Sequence, residues 1–233
     1  MDRILVMKRV IVFLILIAGV FVSNAQNLKY VSFTNGADLS YFSFITDQKI
    51  IIKISPTGDI MEWGYDLEPG RFYSQPGRLQ PYMGRVEYYE NQFDSILNGK
   101  VKSIGTTNIF YYGSSENESL VGKVKSIGTL WIDYYTNFEN ELVKGKLKSA
   151  GQKTFTYYTS FENEAYRGKL KSVASYAVTY YSTFDDKAIR GKLKNIGPGN
   201  YTWYTSMDRQ GYQGGLKSGN QYLLLEGVTF IVW

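Results

Sequence analysis

The chain has 233 residues and a net charge of +5, and 16% of its residues are aromatic, but it has no histidine and no cysteine. Without these residue types it cannot form a Cys/His zinc site, a Ser-His-Asp triad, a Cys-His pair or a disulfide. We therefore expect a protein that is not an enzyme and carries no cofactor and no metal. The mild positive charge gives little reason to expect a nucleic-acid partner.

Residues 1–25 have the pattern of a secretory signal peptide. Basic residues near the start precede an almost unbroken apolar run from Val10 to Val22, and the small residues of Ser23–Ala25 follow. The apolar run is shorter than the roughly 20 residues that span a bilayer, so we expect cleavage after Ala25 rather than a membrane anchor. This predicts a secreted, periplasmic or cell-surface protein with no transmembrane segment after cleavage.

Residues 26–76 lack a regular repeat and predict an irregular N-terminal β cap. A strand is expected over Lys49–Ile54, a turn over Pro56–Asp59 and a further strand from Ile60. This segment is also where an alternative function, as an enzyme or a metal-dependent binder, would be sought, because its acidic residues do not recur in the repeats. These acids are Asp38, Asp47, Asp59, Glu62, Asp66 and Glu68.

Residues 77–219 form a repeat region. A unit that typically opens with glycine, a basic residue and an aliphatic residue begins at Gly77, returns after 22 residues and then returns every 23 residues. The later openings are Gly99, Gly122, Gly145, Gly168, Gly191 and Gly214. A fixed period without insertions indicates one supersecondary unit per copy, locked to its neighbours.

Each copy predicts two strands. In the copy from Gly122 to Lys144, a mostly apolar set of residues alternates with a mostly polar set. The apolar set is Ile132, Tyr134, Thr136 and Phe138, and the polar set is Asp133, Tyr135, Asn137 and Glu139. This alternation is typical of a half-buried strand, and it places Phe138 on the apolar face, with Phe161 and Phe184 at the same position in later copies. The Gly-Lys-Leu-Lys-Ser stretch predicts the second strand, and acidic Glu-Asn-Glu corners join the copies.

Two all-β architectures fit this unit: an antiparallel meander of β-hairpins and a β-solenoid. In a solenoid the lysines that follow each opening glycine would stack about 4.8 Å apart, and like charges at that spacing destabilise a sheet. In a meander a strand of the other type intervenes and doubles the spacing. The sequence therefore favours antiparallel hairpins of about 23 residues that form one long, coiled meander sheet.

Residues 220–233 predict a C-terminal capping hairpin. The apolar runs Tyr222–Leu225 and Val228–Trp233 flank a turn at Glu226-Gly227. A buried last strand would protect the sheet from edge-to-edge aggregation. The sequence leaves open whether the sheet closes or dimerises, and it does not set the oligomeric state.

The repeat region resembles two families of β-hairpin repeat proteins. A tyrosine pair, an acidic residue and then a Gly-basic-Leu opening resemble the YD repeats of Rhs-type shells, and the 23-residue period is similar to that of MORN-type repeats. The resemblance covers Gly77 to Gly219, with Tyr-Tyr-Thr or Tyr-Tyr-Ser in place of Tyr-Asp. It implies a non-catalytic β scaffold and assigns no site residues.

The candidate binding surface is a column of tyrosines on the polar face, accompanied by lysine pairs. We expect an acidic polysaccharide or a cell-surface protein to lie along this column, with rings stacking on sugars and lysines meeting acidic groups; repeated weak contacts would add through effective concentration. The alternative is that the tyrosines pack only against neighbouring strands. The surface consists of Tyr112, Tyr135, Tyr158, Tyr181, Tyr204, Lys146, Lys148, Lys169 and Lys171.

Overall fold

The computed structural model describes residues 26–67, 76–90 and 94–233. The predicted signal peptide and Glu68 lie outside these ranges. The described chain is all-β, as expected: it contains twenty strands, one short 3-10 helix at Glu164–Tyr166 and no α-helix. In the described residues no helix has the length and hydrophobicity needed to cross a membrane.

The strands fall into three groups along the chain. The first group is β1 (Asn27–Thr34), β2 (Asp38–Ile45), β3 (Ile50–Ile54), β4 (Ile60–Asp66) and β5 (Leu79–Pro81). The repeats supply β6 (Val86–Tyr88), β7 (Val101–Ile104), β8 (Thr107–Tyr111), β9 (Val124–Ile127), β10 (Leu130–Tyr134), β11 (Leu147–Ala150), β12 (Lys153–Tyr157), β13 (Leu170–Val173), β14 (Tyr176–Tyr180), β15 (Leu193–Ile196), β16 (Gly199–Asn200), β17 (Thr202–Trp203) and β18 (Leu216–Ser218). The last two are β19 (Tyr222–Leu225) and β20 (Val228–Val232).

The repeat strands form the meander that the sequence predicts. Strands β6 to β16 follow one another in chain order in one 11-stranded sheet, and β17 pairs with β18 beyond it. Every pairing within these repeat strands is antiparallel; Tyr134 faces Leu147, for example, and Tyr157 faces Leu170. The meander is therefore confirmed, and the described repeat strands do not form the parallel coils of a solenoid.

A second sheet has seven strands, in the order β19-β20-β1-β2-β3-β4-β5. Strand β5 follows the first predicted repeat opening at Gly77, so this opening belongs to the second sheet, and the repeat sheet begins at β6. The C-terminal hairpin is present, with Leu225 opposite Val228 and positive φ angles at Glu226 and Gly227. It does not extend the repeat sheet, because β20 pairs in parallel with β1. The N-terminal and C-terminal segments therefore build one layer together.

The hydrophobic core lies between the two sheets. Phe42 of β2 meets Phe155 of β12 with ring centroids 4.6 Å apart, and both side chains are fully buried. The backbone also joins the layers, since the Val124 amide donates to the Gly58 carbonyl at 3.0 Å and the Leu193 amide donates to the Gly36 carbonyl at 2.7 Å. The seven-stranded sheet thus covers the apolar face that a single meander would expose to water.

One part of the predicted strand pattern is wrong. The alternation places Phe138, Phe161 and Phe184 on the buried face, but these side chains are 89%, 92% and 94% exposed. The strand ends at Tyr134, four residues before Phe138, because the amide and hydroxyl of Thr136 both donate to the Glu139 carboxylate, at 2.7 and 2.6 Å. This local turn replaces the ladder hydrogen bonds that would continue the strand.

Candidate functional site: the turn edge of the repeat sheet

The tyrosine column connects successive copies. The hydroxyl of Tyr135 donates to the Phe155 carbonyl and that of Tyr158 to the Val178 carbonyl, each at 3.0 Å and each across 20 residues of sequence. Tyr112 and Tyr181 make the same bond, to Ile132 and Tyr201. Each ring therefore ties its own copy to the carbonyl of the next copy.

The expected exposure of this column is wrong for Tyr112, which is buried; Tyr135, Tyr158, Tyr181 and Tyr204 are half-buried. Burial raises the pKa of Tyr112 to about 12. The reason is geometric: the strand has ended before the second tyrosine of each pair, so its side chain leans along the sheet toward the next copy instead of standing on the polar face.

Lys148 and Lys171 cover the tyrosine column. The ammonium of Lys148 lies 5.5 Å from the centre of the Tyr135 ring and 3.4 Å from the Glu139 carboxylate. Lys171 lies 5.3 Å from the Tyr158 ring and 3.2 Å from Glu162. Cation–π contacts at such exposed sites contribute about 0.5–1 kcal/mol. These two lysines therefore stabilise the repeats through contacts within the chain.

Lys146 and Lys169 lie at the boundary between copies and layers. Lys146 donates to the Gly168 carbonyl and lies 5.2 Å from the Tyr157 ring; burial lowers its pKa. Lys169 pairs with Asp38 at 2.5 Å and donates to the Ala37 carbonyl at 3.2 Å. Eight of the nine predicted site residues therefore bond to backbone carbonyls or acidic side chains of the same chain. The exception is Tyr204, whose ring centre lies 5.4 Å from the Lys217 ammonium.

The acids of the N-terminal segment do not converge on one site. Glu62 pairs with Lys53 at 2.6 Å, Asp66 accepts the Tyr30 hydroxyl, and Asp59 accepts the hydroxyls of the turn at residues 55–59. Within the described ranges no group of three or more acidic side chains is placed to hold a metal ion.

The acidic corners between copies have a structural role in the turns. The carboxylate of Glu162 accepts the amide and the hydroxyl of Thr159, and this hydroxyl lowers the pKa of Glu162. Asn163 accepts the Ala165 amide at 3.0 Å and donates to the Thr183 hydroxyl of the next copy at 2.9 Å. This turn is therefore closed by its own acid and joined to the following turn by its asparagine; in the next copy Asp186 makes the second link by accepting the Ser206 amide at 2.8 Å.

These turns present a row of large apolar side chains to solvent, which we call the tip row. It consists of Phe138, Phe161, Phe184 and Met207, and Met207 is 95% exposed. The four residues occupy the same position in successive copies, 23 residues apart. Because two strands separate one copy from the next, the tips are about 9–10 Å apart.

Charged groups beside the tip row make contacts within the chain. In each of three copies a lysine pairs with the acid that follows the tip: Lys148 with Glu139, Lys171 with Glu162, and Lys217 with Asp208. Arg167 and Arg190 donate to the carbonyls of Glu162 and Asp185, each at 2.9 Å. The row is therefore an apolar edge flanked by three lysine–acid pairs and by two arginines that are held by backbone carbonyls.

Sequence reasoning misses the tip row because it extends the period of two past the end of the strand. The signal for the turn is nevertheless in the sequence. Ser or Thr stands two residues before each tip and Glu or Asp directly after it, in Thr136–Glu139, Thr159–Glu162, Ser182–Asp185 and Thr205–Asp208. Hydroxyl and carboxylate side chains at this spacing satisfy backbone amides locally and so compete with a strand.

Comparison with protein-family models, with curated proteins and with solved structures finds no match to this chain.

Proposed function

We propose that this protein is an exported, non-enzymatic β-repeat scaffold with a structural or adhesive role, and that it binds an extended polysaccharide along the tip row. The single observation that carries the proposal is the set of four nearly fully exposed apolar tips at one constant spacing. Monomeric soluble proteins rarely keep a contiguous apolar surface exposed unless a partner covers it. Export is supported by the signal-peptide pattern of residues 1–25.

The chemistry of the row favours a sugar polymer. Aromatic rings stack on the apolar faces of pyranose rings, and in an extended β-linked glycan equivalent faces recur once per disaccharide, a spacing close to that of the tips. Each tip gives a weak contact, and the contacts add because the sheet holds them at fixed distances. The paired charges beside the tips favour an uncharged polymer over the acidic polymer suggested by the lysines alone.

The tyrosine–lysine column remains a second candidate surface for the same partner. Its rings are half-exposed in Tyr135, Tyr158 and Tyr181. Because these residues also connect the copies, their removal would weaken the fold together with any binding, whereas the tips are free of that role.

The test is co-sedimentation with insoluble chitin, cellulose and β-1,3-glucan. The Phe138→Ala, Phe161→Ala, Phe184→Ala triple variant is expected to lose retention on the polymer that retains the unmodified protein. The control is Phe110→Ala with Trp131→Ala, which removes two exposed rings from the strands and leaves the tips in place. Equal retention of the triple variant, or no retention of the unmodified protein on any of the three glycans, would reject the proposal; loss in the control alone would place binding on the strand face.

A further inference from the structure

The two ends of the repeat region carry strands of complementary type, and each has one edge that no other described strand pairs with. Among the described residues, β6, which leads into the tyrosine pair, pairs only with β7, and β18, which follows the last opening glycine, pairs only with β17. Inside the sheet every strand that leads into a tyrosine pair lies between two strands that follow an opening glycine, and the reverse also holds. We propose that copies of this chain assemble head to tail, with β6 of one copy pairing antiparallel with β18 of the next.

Burial at the two ends is what a missing neighbour produces. The residues equivalent to Leu216 in the preceding copies, Leu147, Leu170 and Leu193, are 0% exposed, whereas Leu216 is half-exposed. At the other end Tyr88 is 51% exposed, whereas its equivalents in the later copies are between 0% and 9% exposed. These equivalents are Tyr111, Tyr134, Tyr157 and Tyr180. A second copy at each end would restore the environment of the interior repeats.

The hydrogen-bond series also continues across such a contact. The tyrosine hydroxyls that bond the next copy run from Tyr89 to Tyr181, and within the described chain Tyr204 has no acceptor. The carbonyl at the matching position of the first copy belongs to Val86, 23 residues before Ile109, which accepts Tyr89 at 2.9 Å. Repetition of the pattern therefore directs the Tyr204 hydroxyl of one copy to the Val86 carbonyl of another.

The covering sheet ends at the same two places. Strand β5 is joined to β6 by only four residues, and Leu223 of β19 packs beside Gly199 of β16. Large apolar side chains are exposed there too, including Met83 at 90% and Leu224 at 65%. Because the contact joins two different surfaces, the expected product is a ring or an open chain of copies rather than a two-fold dimer.

The register gives a direct test. In the repeat sheet Ser103 faces Asn108, and the equivalent pair in the last full copy is Asn195 and Asn200. The next residue in the first series is Ser218, 23 residues after Asn195, and the residue 23 positions before Asn108 is Arg85. Continuing the register therefore places Ser218 of one copy opposite Arg85 of the next. Both side chains are exposed, and the chain has no cysteine of its own. The variants Ser218→Cys and Arg85→Cys are purified separately, mixed, oxidised with copper-phenanthroline and examined on a non-reducing gel. Ser218→Cys mixed with Glu87→Cys is the out-of-register control.

The proposal predicts that the in-register mixture cross-links to a two-chain species roughly tenfold faster than the control mixture, because pairing raises the effective concentration of the two thiols. The double variant, with both cysteines in one chain, is expected to give a ladder of two, three and more chains. Sedimentation velocity of the unmodified protein is expected to show mass that increases with concentration. Equal cross-linking in the two mixtures, a species that stops at two chains, or a monomer at every concentration would overturn the proposal.

Discussion

The hydroxyl of Tyr158 donates a 3.0 Å hydrogen bond to the backbone carbonyl of Val178, one copy further along the sheet. The same bond recurs at Tyr89, Tyr112, Tyr135 and Tyr181. Four of these rings, all except Tyr181, also lie edge-on to a ring of the next copy, as Tyr158 does to Tyr180 at 6.1 Å. Neighbouring copies are therefore coupled by side chains as well as by the strand ladder.

Substitution Tyr158→Phe is expected to lower the free energy of unfolding by about 1 kcal/mol, because the Val178 carbonyl loses its partner while the ring packing is kept. Urea denaturation measures the change. Phe161→Ala, which removes an exposed ring three residues away, is the control and is expected to stay within about 0.5 kcal/mol of the unmodified protein. Unchanged stability of Tyr158→Phe would show that the column does not couple the copies.

Gly58→Ala is expected to be strongly destabilising. Gly58 has a φ of +92°, and a Cβ atom there would lie 2.4 Å from the Tyr134 hydroxyl oxygen. Strain and overpacking together are expected to cost about 2–4 kcal/mol. The matched control is Gly227→Ala, where φ is +81° but nothing lies within 4 Å of the added Cβ, so only the backbone term of about 1 kcal/mol remains.

The comparison of these two glycines in thermal unfolding isolates the packing of the covering sheet on the repeats. A larger loss for Gly58→Ala than for Gly227→Ala is the expected result. Equal losses would mean that the turn at residues 55–59 does not pack tightly against Tyr134.

Stability is expected to fall in acid because the turn carboxylates must protonate. The hydroxyls of Thr136 and Thr159 lower the pKa of Glu139 and of Glu162 below the ordinary value of 4.5. A carboxylate with a lowered pKa in the folded state contributes stability above its unfolded pKa, and this contribution is lost as the pH falls through the folded value. The unfolding midpoint in urea should therefore decrease as the pH is lowered from 5 toward the folded pKa values.

The double variant Glu139→Gln, Glu162→Gln tests the assignment of this pH dependence. A glutamine amide oxygen accepts the same two donors but does not titrate. The variant is expected to show a shallower loss of stability below pH 5 than the unmodified protein. An equally steep loss would place the responsible groups elsewhere in the chain.

The sequence predicts the meander because its evidence is periodic. The lysines after each opening glycine, such as Lys146 and Lys169, would repel one another at the strand spacing of a solenoid but not at the doubled spacing of a meander. This argument needs no knowledge of long-range contacts. The alternation misplaces the turn edge because it does not show where a strand ends; the bonds from Thr136 to Glu139 set that point. These bonds are local, so the turn could have been recognised from the residue types.

The position of the covering sheet could not be predicted in the same way. The contact between Phe42 and Phe155 joins segments more than 100 residues apart, and neither residue carries a pattern that names its partner. The parallel pairing of β1 with β20 is likewise a long-range event. The tyrosine column is partly buried because each strand ends before the second tyrosine of the pair, and the position of that end is known only from the structure.

The binding role of the tip row is tested most directly by hydroxyl-radical footprinting of the unmodified protein with and without the glycan that retains it. Oxidation at Phe138, Phe161, Phe184 and Met207 is expected to fall together, while Met61, which is 55% exposed on β4 of the seven-stranded sheet, stays as reactive as before. Protection of Tyr135, Tyr158 and Tyr181 with unchanged oxidation of the four tips would contradict the account.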